Sequence, residues 1–255
     1  MKNKEKLIRL MFDGFDVRGL SFINQTKLGL YSYSKFDGLF IDSSESYTHL
    51  IPYVDSFPIR EEEKWYNIGG KDLTEYLQNL LLRNSGQNIS YLDTKNIKEK
   101  TIYCPLDFDE ERKTGIDEVK YELPDSTIIV KDERIKCPEI FFNPDLIHKE
   151  ENGLAKECYD TLRNLILSYN HHYYGEIYLL GGNCMIKGFA ERLKKELKAL
   201  VPESKKNDIK IESSSFGINS AFVGGGIVSS ISTFIVPKIE YEENGPRIFE
   251  KKMII

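Results

Sequence analysis

No apolar run in this 255-residue chain approaches the length of a membrane span, and no internal repeat or low-complexity tract is present. It also lacks a basic block: 35 Lys and Arg stand against 40 Asp and Glu, a formal charge of −5. That balance argues against electrostatic capture of nucleic acid. Cysteine is sparse and scattered; Cys104, Cys137, Cys158 and Cys184 form no Cys-x-x-Cys pair and have no histidine at metal spacing. Buried, reduced thiols are the expectation. His171 and His172 precede an expected strand, where adjacent side chains point to opposite faces, so they read as a solvated or packing pair rather than a metal site. A phosphate-binding P-loop is excluded because Lys187 stands on the wrong side of Gly188 and no Ser or Thr follows it. No Gly-x-Gly-x-x-Gly opens a helix, which removes a dinucleotide site. The opening Lys2–Lys6 is polar and helix-compatible, unlike the apolar core of a secretory signal.

What is present has the composition of a soluble globular protein with ample material for a core. Helical patterning is expected near Lys6–Arg9 and from Gly19 to Leu30. Gly38–Ile41 reads as a short strand closing on Asp42, paired with Tyr47–Pro52 across a Ser-Ser-Glu-Ser turn. Asp72 with Glu75 predicts the start of a helix carrying Leu73, Tyr76, Leu77 and Leu80 on one face. Residues 112–118 are polar and read as a loop. Leu154, Cys158, Leu162, Leu165 and Ile166 recur at helical spacing. The glycine run at 224–226 reads as the lead into a short helix. Alternating strands and helices indicate an α/β fold.

The most informative stretch is Ile177–Leu200, IYLLGGNCMIKGFAERLKKELKAL. An apolar strand ends in Gly181-Gly182, a turn runs to Gly188, and an amphipathic helix follows with Phe189, Leu193, Leu197 and Leu200 on one side. That layout lets a backbone approach a phosphate or nucleotide ring. Alone it is a weak signal, since such turns are common.

The words around it resemble the actin family from end to end. KEKLIRLMFDGFDV (Lys4–Val17), DGLFIDSSESYTHLIPYVDSFPI (Asp37–Ile59), IGGKDLTEYLQNLL (Ile68–Leu81) and NIKEKTIYCPLDFDEE (Asn96–Glu111) follow the family's order. YELPDSTIIVKDERIKCPEIFFNP (Tyr121–Pro144), the LLGGNCMIKGFAERLKKEL word, FVGGGIVSSISTF (Phe222–Phe234) and EYEENGPRIFEKK (Glu240–Lys252) continue it. The resemblance implies the α/β, ribonuclease H-like ATPase fold shared with heat-shock chaperones and sugar kinases. It further implies that most of the family's first subdomain and all of its second are absent, and with them the first phosphate hairpin. Three pieces follow: 1–32 with 220–255 as a remnant of the first subdomain, 33–68 with 150–219 as a third-subdomain-like α/β core, and 69–149 as a fourth-subdomain-like helical lobe.

Site residues carry over by position. Gln25 and His49 match the pair that orients the attacking water, and Asp42 matches a carboxylate reaching magnesium through water. Ser43 and Glu45 lie in the matching second phosphate loop, Lys98 and Glu99 match residues beside the adenosine, and Gly70, Gly181, Gly182 and Gly188 match backbone that makes room for the nucleoside. ATP or ADP with Mg is the implied cofactor. Each residue also has an ordinary role: Gln25 as an exposed helix amide, His49 as a core histidine, Asp42 as a turn former.

Two departures weigh against catalysis. The family's Asp-Ser-Gly-Asp-Gly loop is Asp42-Ser43-Ser44-Glu45-Ser46 here, so serine replaces both glycines, and Ile186-Lys187 replaces a tyrosine-proline pair. A charged hydrogen bond contributes roughly 1.5–3 kcal/mol, and micromolar affinity is only about 8 kcal/mol in all. An absent hairpin and an altered loop therefore predict weak or no ATP binding. Phe12, Phe15, Phe22, Phe234 and Ile235, with Met253-Ile254-Ile255, are expected to leave an apolar face for a protein partner. The reading is an actin-like structural or cytoskeletal subunit with a degenerate nucleotide site. Its partners are proteins, with actin or actin-related proteins as candidates, and neither nucleic acid nor membrane. The expected location is cytoplasmic and cytoskeletal, with a nuclear one left open. The alternatives are a fragment of a nucleotide-binding ATPase that forms or caps filaments, and an enzyme or regulator on the wider fold.

Overall fold

The computed structural model describes residues 2–124, 126–169, 173–214 and 216–252; His171, His172 and the tail Met253-Ile254-Ile255 lie outside the described residues. The chain divides into two compact units, one made of residues 1–36 and 219–255 and the other of residues 37–218.

In the first unit, α1 (Lys2–Arg9) runs on into a wider turn at Leu10–Gly14, followed by β1 (Gly19–Leu20) and α2 (Gln25–Ser32). Glycine and leucine at 19–20 are extended because they pair with Val236 and Pro237, so the expected helix begins only at Gln25. There Asn24 caps it, its side chain accepting from the Thr26 N–H at 2.8 Å. The C-terminal part adds α9 (Ser220–Ser229), β10 (Val236–Pro237), α10 (Lys238–Asn244) and α11 (Ile248–Lys252). The 224–226 glycines stand inside α9 rather than before it. At Gly224 a methyl group would lie 1.8 Å from the Leu28 carbonyl oxygen, so two helix backbones touch there and only a bare Cα fits. Phe12 is not part of an open face. It is buried with Ile8, Tyr241 and Phe249, its ring stacked on Tyr241 at 4.3 Å. Phe22 packs edge-on against Phe249, and Phe234 against Tyr31, whereas Phe15 is exposed.

The second unit is built on a sheet of β2 (Gly38–Ser43), β3 (Thr48–Val54), β4 (Phe57–Pro58), β5 (Lys64–Tyr66), β8 (Ile177–Leu180) and β9 (Ile211–Ser213), ordered β4-β3-β2-β8-β9 with β5 also on β3. The β2–β3 hairpin is antiparallel, while β2, β8 and β9 run parallel. Every residue of β2 and β8 is buried, the pattern of central strands covered on both faces. Leu39, Ile41 and Leu179 join one core with α3 (Gly70–Ser85), α7 (Leu154–Tyr169) and α8 (Phe189–Leu200). Burial of each such side chain contributes roughly 1.5–3 kcal/mol. On the opposite face Phe40 stacks on Tyr178 at 4.8 Å and meets Tyr53 edge-on.

The chain between α3 and α7 supplies α4 (Tyr91–Thr101), α5 (Phe108–Thr114), the hairpin β6 (Val119–Glu122) and β7 (Thr127–Val130), and α6 (Glu133–Glu139). Two boundaries differ from the sequence pattern. Asp72 does not begin α3; it is the third residue in, and its carboxylate accepts from the Gly69 N–H at 2.8 Å. The polar stretch expected as a loop is helical up to Thr114, because Asp107 caps α5 through the Glu110 N–H. All four cysteines are free and buried, and burial pushes each thiol well above its ordinary value.

Candidate functional site: a cleft at the ends of two parallel strands

Asp42 at the end of β2 lies beside Leu180 at the end of β8. The turns that leave these strands diverge, and outside the carboxyl ends of parallel strands such divergence creates a crevice. Here it is a cleft of about 790 Å³, lined by Ser43, Ser44 and Glu45 from the first turn, by Gly182, Asn183, Met185 and Ile186 from the second, and by α4 from Lys95 onward.

The first turn is closed by its own hydrogen bonds. Ser44 N–H donates to the Tyr47 carbonyl at 3.1 Å, and the Ser44 hydroxyl donates to Asp42 Oδ1 at 3.0 Å. The carbonyls of Ser44 and Glu45 accept the first two amides of α3, from Gly70 at 2.9 Å and Lys71 at 2.7 Å. Asn183 fastens the second turn to the first, its amide donating to Ser43 Oγ at 3.1 Å and to the Ser44 carbonyl at 2.7 Å. Ser43 Oγ also pairs with Thr48 Oγ1 at 2.7 Å.

Glu45 projects along the cleft wall. The Tyr91 hydroxyl donates to its Oε1 at 2.9 Å, and Lys95 Nζ lies 3.5 Å from its Oε2. Partial burial pushes its carboxyl upward, but the Tyr91 bond and the charges of Lys95 and Lys98 outweigh that and hold it below the ordinary glutamate range. Lys98 is buried and donates to the Gly70 carbonyl and to Thr74 Oγ1, both at 2.9 Å. Burial lowers its ammonium below the ordinary lysine value, and Glu45 opposes that fall. At the far end Arg134 lies over the Tyr103 ring at 5.0 Å and donates to the Thr101 and Asp117 carbonyls. Burial and a bond to Glu111 push the Tyr103 phenol up to about 12.

Of the expected site residues, Ser43, Glu45, Lys98, Glu99 and Gly182 line this one cleft. Gly70 adjoins it: a methyl group there would lie 2.9 Å from Glu45 Oε2 and 3.1 Å from Asn183 Oδ1. Gly181 and Gly188 have backbone φ of +84° and +82°, and the space beside them is filled by this chain's own backbone, at the Ser43 and Cys104 carbonyls respectively. Asp42 is buried and accepts from Ser44 rather than lining the cleft. His49, paired across the hairpin from Asp42, is buried; its Nε2 lies 2.7 Å from Glu63 and its ring stacks on Trp65 at 4.1 Å. Gln25 belongs to the other unit, exposed at the start of α2. Among the described residues, no group of three or more His, Cys, Asp or Glu is placed to hold a metal ion. Sequence reasoning missed Tyr91, Lys95, Asn183 and Arg134. Lys95 precedes Lys98 by three residues and so shares its helix face, a usable signal; Asn183 was hidden inside a glycine turn.

The fold and cleft define an α/β protein with a charged crevice at the carboxyl ends of parallel strands. An actin family model matches residues 1–93 and 93–254. The chain is 33% identical to centractin of Schizosaccharomyces pombe over 264 residues, covering 99% of this chain and 69% of centractin. It is 32% identical to putative actin-29 of Dictyostelium discoideum over 98% of this chain and 68% of that protein. Actin-related protein 2 of Acanthamoeba castellanii is 29% identical over 98% and 70%. The chain belongs to the actin family.

Proposed function

We propose that this actin-family chain is a structural, cytoskeleton-associated subunit of a protein assembly whose nucleotide site is degenerate. The names of its relatives, an actin and actin-related proteins, support an actin-like cytoskeletal role. The observation that carries the degenerate site is the 42–46 turn. Its Ser44 amide, its Ser44 hydroxyl and two of its carbonyls are spent on contacts within the chain. Magnesium with a triphosphate needs several free N–H donors, a lysine and a carboxylate facing the ion. Lys98 instead donates to Gly70 and Thr74, Asp42 accepts from Ser44, and Glu45 presents negative charge to the wall. That donor set does not fit a tightly held magnesium triphosphate. On this reading 1–32 with 220–255, 33–68 with 150–219, and 69–149 serve as three pieces of an actin-type body. Its partners are cytoskeletal proteins in the cytoplasm.

Equilibrium dialysis of the full chain against Mg-ATP tests the reading. The expected result is no stoichiometric retention at micromolar nucleotide. Tight one-to-one retention would overturn it in favour of a nucleotide-binding ATPase that forms or caps filaments, a reading favoured by Lys98, Glu99 and Gly182 lining one cleft.

A further inference from the structure

Lys27 and Lys98 are buried to the same degree, each with 5% of its surface exposed, yet the fold treats them differently. Lys98 donates to the Gly70 carbonyl and to Thr74 Oγ1. For Lys27, no carboxylate, carbonyl or hydroxyl among the described residues is placed to bond its ammonium. Its surroundings also work against a positive charge. Lys27 is the third residue of α2, in the first turn, where the helix dipole is positive. The helix packed on α2 is α9, which reads SAFVGGGIVS and offers no ionisable side chain. On α2 itself the other ionisable group is Tyr31, one turn on, whose phenol burial pushes up. Burial lowers the Lys27 ammonium below the ordinary lysine value, and no neighbouring charge opposes that fall. An ammonium so placed sheds its proton more readily than it bears desolvation. The free amine that results is the nucleophilic form of lysine.

The amine is also within reach. Its nitrogen is not among the partnerless side-chain atoms sealed from solvent. Asn24, three residues before Lys27, and Leu28, next to it, line a groove of about 570 Å³ together with Phe22 and Val228. We infer that Lys27 is a reactive amine, a site of acylation by small thioesters. Its nitrogen adds to the thioester carbonyl carbon; the C–N bond forms, the C–S bond breaks, and the sulfur leaves as a thiolate that takes up the proton shed by nitrogen. The amide so formed is neutral, and the modification removes a charge that the fold does not compensate. Lys27 belongs to a different unit from the cleft, so this chemistry stands apart from the nucleotide reading.

The test follows acetylation of each lysine in the folded full chain by S-acetyl-N-acetylcysteamine, using peptide mass spectrometry. At neutral pH Lys27 is expected to react at least about threefold faster than the median exposed lysine. Exposed lysines should gain about tenfold per pH unit up to their ordinary value of about 10.4, whereas the Lys27 rate levels off earlier. Lys98, equally buried but bonded, is the internal control and should stay unreacted. In urea the advantage of Lys27 should vanish. Lys27→Arg keeps the charge and removes the nucleophile, and it should abolish the fast phase, with circular dichroism checking its fold. Should that variant not fold, the Lys27 peptide of the unmodified chain carries the same information without it. A Lys27 rate at neutral pH no faster than that of exposed lysines overturns the inference. So does a pH profile that climbs in parallel with theirs, a Lys98 rate equal to that of Lys27, or an advantage that persists in urea.

Discussion

Gly181 separates two explanations of the glycine turn after β8. If the glycine is there to admit a ligand, Gly181→Ala should fold as well as its parent. The geometry argues otherwise. Its φ of +84° costs an L-residue about 1–2 kcal/mol. The added methyl would also lie 2.3 Å from the Ser43 carbonyl oxygen and 2.7 Å from Asp42 Oδ1, well inside ordinary contact. The obstructing atoms are mostly backbone, so relief requires β2 and β8 to part, and overpacking of that kind costs roughly 1–3 kcal/mol more. The expected loss is about 2–5 kcal/mol against a typical total of about 5–15 kcal/mol. Urea unfolding reads this directly through Trp65, the single tryptophan, which stacks on His49 within the same sheet. With a slope of about 2 kcal/mol per molar urea, the midpoint should fall by roughly 1–2.5 M. Gly182→Ala is the control: φ is ordinary there, and a methyl would meet only Ile218 Cγ2 at 3.6 Å. It should lie within about 0.5 kcal/mol of the parent. Gly181→Ala matching that control in the absence of any ligand would refute the packing argument.

Arg192 and Glu139 form a buried pair with two bonds of 3.1 and 3.0 Å, and Arg192 also donates to Glu196 at 2.7 Å. Glu139→Ala should destabilise the chain by about 3 kcal/mol in urea, the lower end for a broken buried pair because Glu196 remains. Glu45 gives a pH dependence. Its carboxyl is held below the ordinary glutamate value, so its stabilising contribution is complete above that value and is lost as pH falls through its folded one. Acid unfolding of Glu45→Gln should therefore be shallower in that range; parallel acid profiles for the two proteins would contradict it.

Much of the fold was legible because hydrophobic periodicity was strong where burial was complete. The strand expected at Gly38–Ile41 is present and runs on to Ser43, its return across Ser-Ser-Glu-Ser, expected at Tyr47–Pro52, spans Thr48–Val54, and the stripe of Leu154, Cys158, Leu162 and Leu165 lies on α7. Failures came where a tertiary contact overruled a local preference. Gly19–Leu20 is a strand only because residues 236–237, more than two hundred positions away, pair with it. The 224–226 glycines, poor helix formers by propensity, are helical because α9 presses on the Leu28 carbonyl. Asp107 capped a helix through residues too polar to announce one.

The cleft was legible in part of its lining and not in its wiring. Positional resemblance gathered Ser43, Glu45, Lys98, Glu99 and Gly182, which one cleft does bring together. It was silent about direction, because a residue type says what a side chain can bond and not which neighbour reaches it first. The replacement of glycine by Ser44 illustrates the difference. Read as sequence, it suggests a side chain blocking a phosphate. In the fold, the hydroxyl turns back to Asp42 and the amide to Tyr47, so the turn satisfies itself and presents Glu45 outward. A loop that meets its own hydrogen-bonding needs gains nothing there from a ligand's oxygens. The helix behind it is held by Glu45 through Tyr91 and Lys95. On the proposed reading, a turn and helix wired in this way hold their shape without a bound nucleotide, as a permanent subunit of a larger assembly would require.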